Sequence, residues 1–431
     1  MKKLFVLLLL SLVLLIVCAC QQLPELSSTP VQMQQGSTNS SDRIPQSTPT
    51  PPNLTISVPL PDHCEYGHTF PDDSNFCVVC NIDYYSATLE FELAADGSYY
   101  RVKSMGDCDR TTIVVPETYN GLPVKEIYSL VSRIASEHDV THVLLPNSIH
   151  TIRKLAFMNY HSLVSINIPD GVTRIEFQTF INCWSLESLT LPDSVTDIDE
   201  AAFEGCLKLK DFCVPDTVTY IGEGAFLNCK ALEELRIPEE MTEIPAGIAH
   251  GCTSLKKVIY SENVIKISRS ACYNCQSLES FVIGPNVTEI AGGAFYGCKS
   301  LSVIVIPDSV VSIDWHAFKE CEQLTSIELP DGITKIPRSV FQDCKNLSFC
   351  VIGANVTHIE DKAFSGCAAL KAIYYRGTSA QWEQITMEQG ASVVTNPQFD
   401  GVTIYFYSET APTEPGNYWR YVDGVPTPWE T

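Results

Sequence analysis

Basic residues are scarce in this chain: 28 Lys and Arg stand against 51 Asp and Glu, a formal net charge of −23 over 431 residues. Phosphate backbones need clustered cations, so nucleic acid is excluded as a partner, and basic partners are favoured over acidic ones. Motifs that carry chemistry are missing too. There is no phosphate-cradling glycine loop, no G-x-S-x-G elbow and no H-E-x-x-H pair. The nine histidines are scattered, with His316 and His358 read as decoration on the surface. An enzyme is therefore not expected. No long apolar run follows residue 17, so no second membrane anchor or wall-sorting signal is expected.

What the chain does have is a period. Phe157, Phe180, Phe203, Phe226, Phe295, Phe318, Phe341 and Phe364 all fall on steps of 23 residues, interrupted only by Ala249 and Cys272. Three places later runs a cysteine row from Cys183 to Cys367, then a leucine row from Leu186 to Leu370, and a proline row that includes Pro169, Pro192 and Pro307. Such strict self-similarity is the signature of a solenoid. Within one unit, Ser188-Leu189-Thr190-Leu191 alternates as a strand with one buried face. Pro192 ends it for want of an N–H, Asp193-Ser194 supplies a turn, and Ala202-Phe203 opens a short helical or 3₁₀ corner. One unit buries too little to order itself. Only stacked units with capped ends stand.

The A-F-x-x-C-x-x-L-x-x-[IL]-x-[IL]-P string at this spacing resembles the BspA-type leucine-rich repeats of bacterial surface proteins, over about residues 113–407. The resemblance implies a mainly β solenoid of 23-residue coils, and a role in adhesion to host matrix proteins or to other cells. Two neighbouring coils depart from the pattern at Ala249 and Cys272, which predicts a looser joint in mid-array.

Taken in order, residues 1–19 read as a lipoprotein signal peptide: Met1-Lys2-Lys3, an apolar run to Val17, then a lipobox-like Val17-Cys18-Ala19-Cys20. Cys20 is the expected lipidated N-terminus, an ordinary secretory cleavage near Ala19 being the alternative; either way the chain is exported. Residues 20–62 form a Pro/Ser/Thr/Gln tether that cannot bury enough surface to order itself. In 63–83, Cys64, His68, Cys77 and Cys80 are the right ligand types for one structural zinc. A disulfide with a spare cysteine competes with that reading in an exported protein. Residues 84–112 hold an N-terminal hairpin cap around Asp96-Gly97, and 113–376 the solenoid. A C-terminal cap with a short helix and a closing strand follows at 377–407, and an aromatic and Pro-rich tail at 408–431.

The cysteine row calls for thiols rather than disulfides. Successive members should lie about 4.7–4.9 Å apart, the strand spacing, whereas a bridge needs Cβ atoms about 3.8 Å apart. Each is expected to be a buried small hydrophobe whose weak S–H donor meets a corner of the backbone.

Two rows point outward. The first, on the strands, includes Ile259, Val282, Val305 and Val351, with Val303 and Phe349 beside it. Adjacent exposed apolar residues make a partner-binding strip, although β-propensity on a sheet face also explains them. The second, Asp170, Asp193, Asp216, Glu239, Glu262, Asp308 and Asp331, follows the prolines and fits turn chemistry or capture of cations. The expected function is a lipid-anchored surface protein that binds a protein or glycan ligand on host or other cells, touching membrane through its lipid alone. An envelope-organising protein with no host ligand is the alternative.

Overall fold

Residues 23 apart in the sequence stand side by side in space. The computed structural model describes residues 76–77, 82–83, 89–104, 111–128, 140–388 and 401–429. Each coil contributes to two parallel ladders. In the first, Ser188–Thr190 pairs with Asp211–Cys213, Glu234–Arg236 with Lys257–Ile259, Ser280–Val282 with Val303–Val305, and Ser326–Glu328 with Phe349–Ile352 and then Ala372–Tyr375. In the second the strands are two residues long, as in Glu243–Ile244, Lys266–Ile267, Glu289–Ile290 and Ser312–Ile313. The ladders are joined by the proline turns. The carbonyl of Pro192 accepts from Val195 N at 3.0 Å, and that of Pro307 from Val310 N at 3.0 Å. A residue without an N–H thus ends the strand and still supplies the acceptor that closes the turn.

The third part of each coil is the 3₁₀-type alternative of the expected corner, built from single i→i+3 turns without a continuous helix: Cys206 N donates to Phe203 O at 3.1 Å and Leu209 N to Cys206 O at 3.2 Å. Two left-handed residues per coil prevent a helix from continuing. One row of them is Asn159, Asn182, Gly205, Asn228, Gly251, Asn274, Gly297, Glu320, Asp343 and Gly366, all at positive φ. Their N–H groups turn to the next coil, as Asn182 N to Glu204 O and Gly205 N to Leu227 O, both 2.7 Å. Asparagine and glycine are the residues that tolerate this conformation. The pairing is also steric, since a Cβ at Gly205 would lie 2.6 Å from Asn182 Oδ1.

The core lies between ladders and corner. Phe157, Phe180, Phe203 and Phe226 stack at centroid distances of 5.3–5.5 Å, and Phe295, Phe318, Phe341 and Phe364 at 5.4–5.8 Å. The row of rings stops at Ala249 and Cys272, which are fully buried all the same. Nine thiols form the expected ladder. Each donates to the carbonyl of the phenylalanine-row residue one coil back, from Cys183 to Phe157 O at 3.3 Å through to Cys367 to Phe341 O at 3.1 Å. These carbonyls already accept a backbone N–H three residues on, as Phe203 O does from Cys206 N, so each thiol is a second, weak donor to an oxygen with two lone pairs.

Both ends are closed. Glu90–Leu93 and Tyr100–Ser104 form the N-terminal hairpin, and the latter strand runs parallel to Leu122–Ile127. The buried carboxylate of Glu126 is held there by Tyr99 Oη at 3.1 Å and by the Arg153 guanidinium. At the other end Thr378 caps the one-turn helix Ser379–Trp382, Thr386–Met387 closes the second ladder on His358–Ile359, and Thr403–Tyr407 closes the first on Ala372–Tyr375.

Candidate functional site

Strands one residue out of phase present opposite faces, so each first-ladder strand buries its middle side chain and offers the two beside it to the exterior. In the coils from 280 to 305 those outward residues are apolar. Val282 is 69 % exposed, Val303 58 % and Val305 70 %, and Val282 stands in register with Val305 and Ser280 with Val303. Ile259, one coil back, is half-buried. Its neighbour Tyr260 folds across, donating from its hydroxyl to Val282 O at 2.6 Å while accepting from Gly284 N at 2.9 Å.

The strip ends sooner than its spacing predicts. Val351 is wholly buried and Phe349 is half-buried, so neither belongs to an open surface. The tail covers them. Tyr418–Val422 pairs with Phe406 and Tyr407, turns at Asp423-Gly424, and returns as Val425–Pro428. Trp419 packs on Val351 and Tyr374 with no exposed surface, its indole Nε1 donating to Tyr375 O at 2.9 Å. Tyr421 reaches the strand of Glu328, where its hydroxyl donates to Oε1 at 3.1 Å and accepts from Arg376 at 2.9 Å. Arg376 also pairs with Asp331 at 2.9 Å. The tail therefore lies over the outer face of the last coils and stops one strand short of Val303 and Val305. The row is broken at Glu328 and is apolar again beneath the tail at Val351.

The acidic row after the prolines is exposed throughout. Asp216 pairs with Arg236 at 3.1 Å, and among the described residues no group of three or more His, Cys, Asp or Glu side chains is placed to hold a metal ion. Of the knuckle, the described part is a two-residue antiparallel pair, Cys77 opposite Ile82. Cys64, His68, Cys80 and the side chain of Cys77 lie outside the described residues, and so does Cys20.

Burial works against nucleophilic use of the row thiols. Burial raises Cys206, Cys229, Cys275, Cys298, Cys321 and Cys344 well above the ordinary thiol value, and Cys367 to about 12. A reactive thiolate needs the opposite shift.

One row escaped the sequence reading. His250, Tyr273 and Tyr296 follow the phenylalanine positions by one with ring centroids 4.4 Å apart at each step, the imidazole tilted against Tyr273 and the two tyrosines stacked, and Lys319 Nζ lies 5.1 Å from the Tyr296 ring. Burial lowers the pKa of His250, and burial followed by Lys319 and Arg338 lowers that of His316. The 23-residue spacing of His250, Tyr273 and Tyr296 was the available signal.

Comparison with known proteins agrees with this geometry. The profile of the BspA type leucine rich repeat region, six copies long, matches residues 134–256, 175–302 and 244–371, together more than half of the chain. No curated protein matches. Among solved structures, a leucine rich cell surface protein from Faecalibacterium prausnitzii is 25 % identical, with 70 % of this chain and 97 % of that one covered and a TM-score of 0.39. The pneumococcal vaccine antigen PcpA is 19 % identical over 75 % of this chain and 93 % of its own, with a TM-score of 0.53, a likeness of fold. By the span and register of the repeat, the chain belongs to the BspA-type leucine-rich repeat family.

Proposed function

We propose that this chain is an exported, lipid-anchored surface protein whose solenoid binds another macromolecule, as an adhesin or interaction scaffold for host matrix proteins or other cells. The observation that carries the reading is the uncovered strip of Val282, Val303 and Val305 on a rigid sheet face. Elsewhere on that face the chain lays its own tail over equivalent positions, so the surface is one on which a peptide segment packs. Cell-surface repeat proteins of similar fold support the location, and the net charge of −23 favours a basic partner. Coils whose interior is committed to packing leave binding, not catalysis, as the function.

The test is binding of residues 21–431 to a panel of matrix proteins, epithelial cells and neighbouring bacteria, beside a variant carrying Val282→Asp, Val303→Asp and Val305→Asp. Saturable binding that the variant loses, with its melting temperature kept, is the expected outcome. Binding that survives moves the site elsewhere on the chain. No binding by folded protein, with self-association instead, overturns the adhesin in favour of an envelope-organising role. For the anchor, Cys20→Ser is expected to release the protein from the membrane fraction.

A further inference from the structure

A groove of about 380 Å³ opens on the second ladder, away from the valine strip, between Tyr220 and Ala291. Its origin is a row that the coils on either side fill mostly with charge. One place after the second-ladder isoleucine stand Arg153, Glu176 and Asp199 on one side, and Asp314, Pro337 and Glu360 on the other. The charged ones fold back onto the array. Glu176 accepts from Lys154 N at 2.9 Å, Glu360 from Arg338 N at 2.8 Å, and Asp199 pairs with Arg174 at 2.7 Å. In the four coils between, the row reads Gly222, Pro245, Ser268, Ala291, all uncharged. Pro245, Ser268 and Ala291 line the groove, whereas a Cβ at Gly222 would collide with the Glu200 backbone. From Tyr220 to Ala291 the groove runs roughly 14 Å along the array, three steps of strand spacing.

We propose that this groove binds a neutral oligosaccharide. Its rims mix the signs of charge. Glu243 faces Lys266 in register on one side, and Arg269 reaches across Ala246 to Glu223 at 3.5 Å on the other. Two carboxylates beside two cations select no ion by charge, but they offer acceptors and donors side by side, which is what a vicinal diol requires of its partner. Ser268, nearly buried in the floor, orients one of them by donating to Glu243 Oε2 at 3.0 Å. Aromatic surface lines one end, where Tyr220 is 48 % exposed. Beyond Ala291, Trp315, 46 % exposed, lies over Gly292, where a Cβ would come within 2.9 Å of the indole. Such rings take the C–H face of a sugar, and a groove of few convergent polar groups with apolar walls is the general form of a small-ligand site. An extended peptide fits less well, because the strands Glu243–Ile244, Lys266–Ile267 and Glu289–Ile290 pair with one another and leave no edge within the groove for it to join.

The experiment is calorimetric titration of the mature chain with neutral hexasaccharides: cello-, laminari-, manno- and chitohexaose. Saturable binding of at least one is expected, weakened at least tenfold by Tyr220→Ala and by Ala246→Trp, which fills the groove, and unchanged by Val282→Asp. Thermal melting confirms that each variant is folded; Tyr220, half in solvent, is replaceable without loss of the core. Failure of all four sugars to bind overturns the proposal, and so does binding that both groove variants leave intact. Neither result bears on the valine strip, whose partner is read by a separate substitution.

Discussion

Trp419 donates its indole N–H to the carbonyl of Tyr375, 44 residues earlier, at 2.9 Å, and this contact fixes the C-terminal hairpin across the outside of the sheet. The ring is completely buried against Val351 and Tyr374. The tail is thus part of the folded array and the boundary of its exposed apolar face.

Trp419→Ala should cost about 3–5 kcal/mol, the usual range for truncating a buried aromatic side chain. Because coils touch only their neighbours, the loss should be local. Hydrogen exchange is expected to rise over 349–375 and to stay unchanged over 180–226. An even rise along the whole array would contradict this.

The thiol ladder predicts alkaline sensitivity. Eight row thiols have folded pKa values raised by burial above the ordinary 9.0, Cys367 among them at about 12. Their stabilisation is complete below the unfolded value and is lost as pH rises above it, because the unfolded chain then releases protons that the folded chain keeps. Each thiol contributes about 1.4 kcal/mol per pH unit in that window. Urea midpoints at pH 7.5, 9 and 10.5 should fall steeply. A Cys229→Ala, Cys252→Ala variant should show a shallower fall, and an unaltered slope would refute the linkage.

The interrupted ring stack predicts a weaker joint. Ala249 and Cys272 keep their places in the core but bring no ring between Phe226 and Phe295. Amides of 245–275 should exchange faster than those of 295–341; uniform protection would sink the idea.

The knuckle predicts a metal. Zinc analysis of the mature protein purified without chelator should find one equivalent, absent from Cys80→Ser. A Cys77–Cys80 disulfide found by mass spectrometry in zinc-free protein would establish the competing arrangement.

Much of this architecture was legible because translation by one coil makes row positions equivalent. Phe180 and Cys206 could be placed in the core, and Pro192 at a turn, from spacing alone. The left-handed row of Asn159, Gly205 and Asp343 was equally periodic, but its residue types signal a backbone angle, and a reading that follows hydrophobicity passes over it. The groove was harder to see, because Gly222, Pro245, Ser268 and Ala291 share only the absence of charge, and Pro337 farther along the same row is uncharged too.

The sequence by itself determined the coil, the ladders, the thiol row and the family, since each depends on contacts between residues a fixed 23 positions apart. Only the tertiary structure decided which outward residues meet solvent. Val305 and Val351 occupy equivalent positions in the repeat, yet one is 70 % exposed and the other wholly buried. The difference is made by Trp419, 68 residues beyond Val351 and outside the period. Burial by a distant, non-repeating segment depends on where the chain returns in space, and no local pattern of residues encodes that.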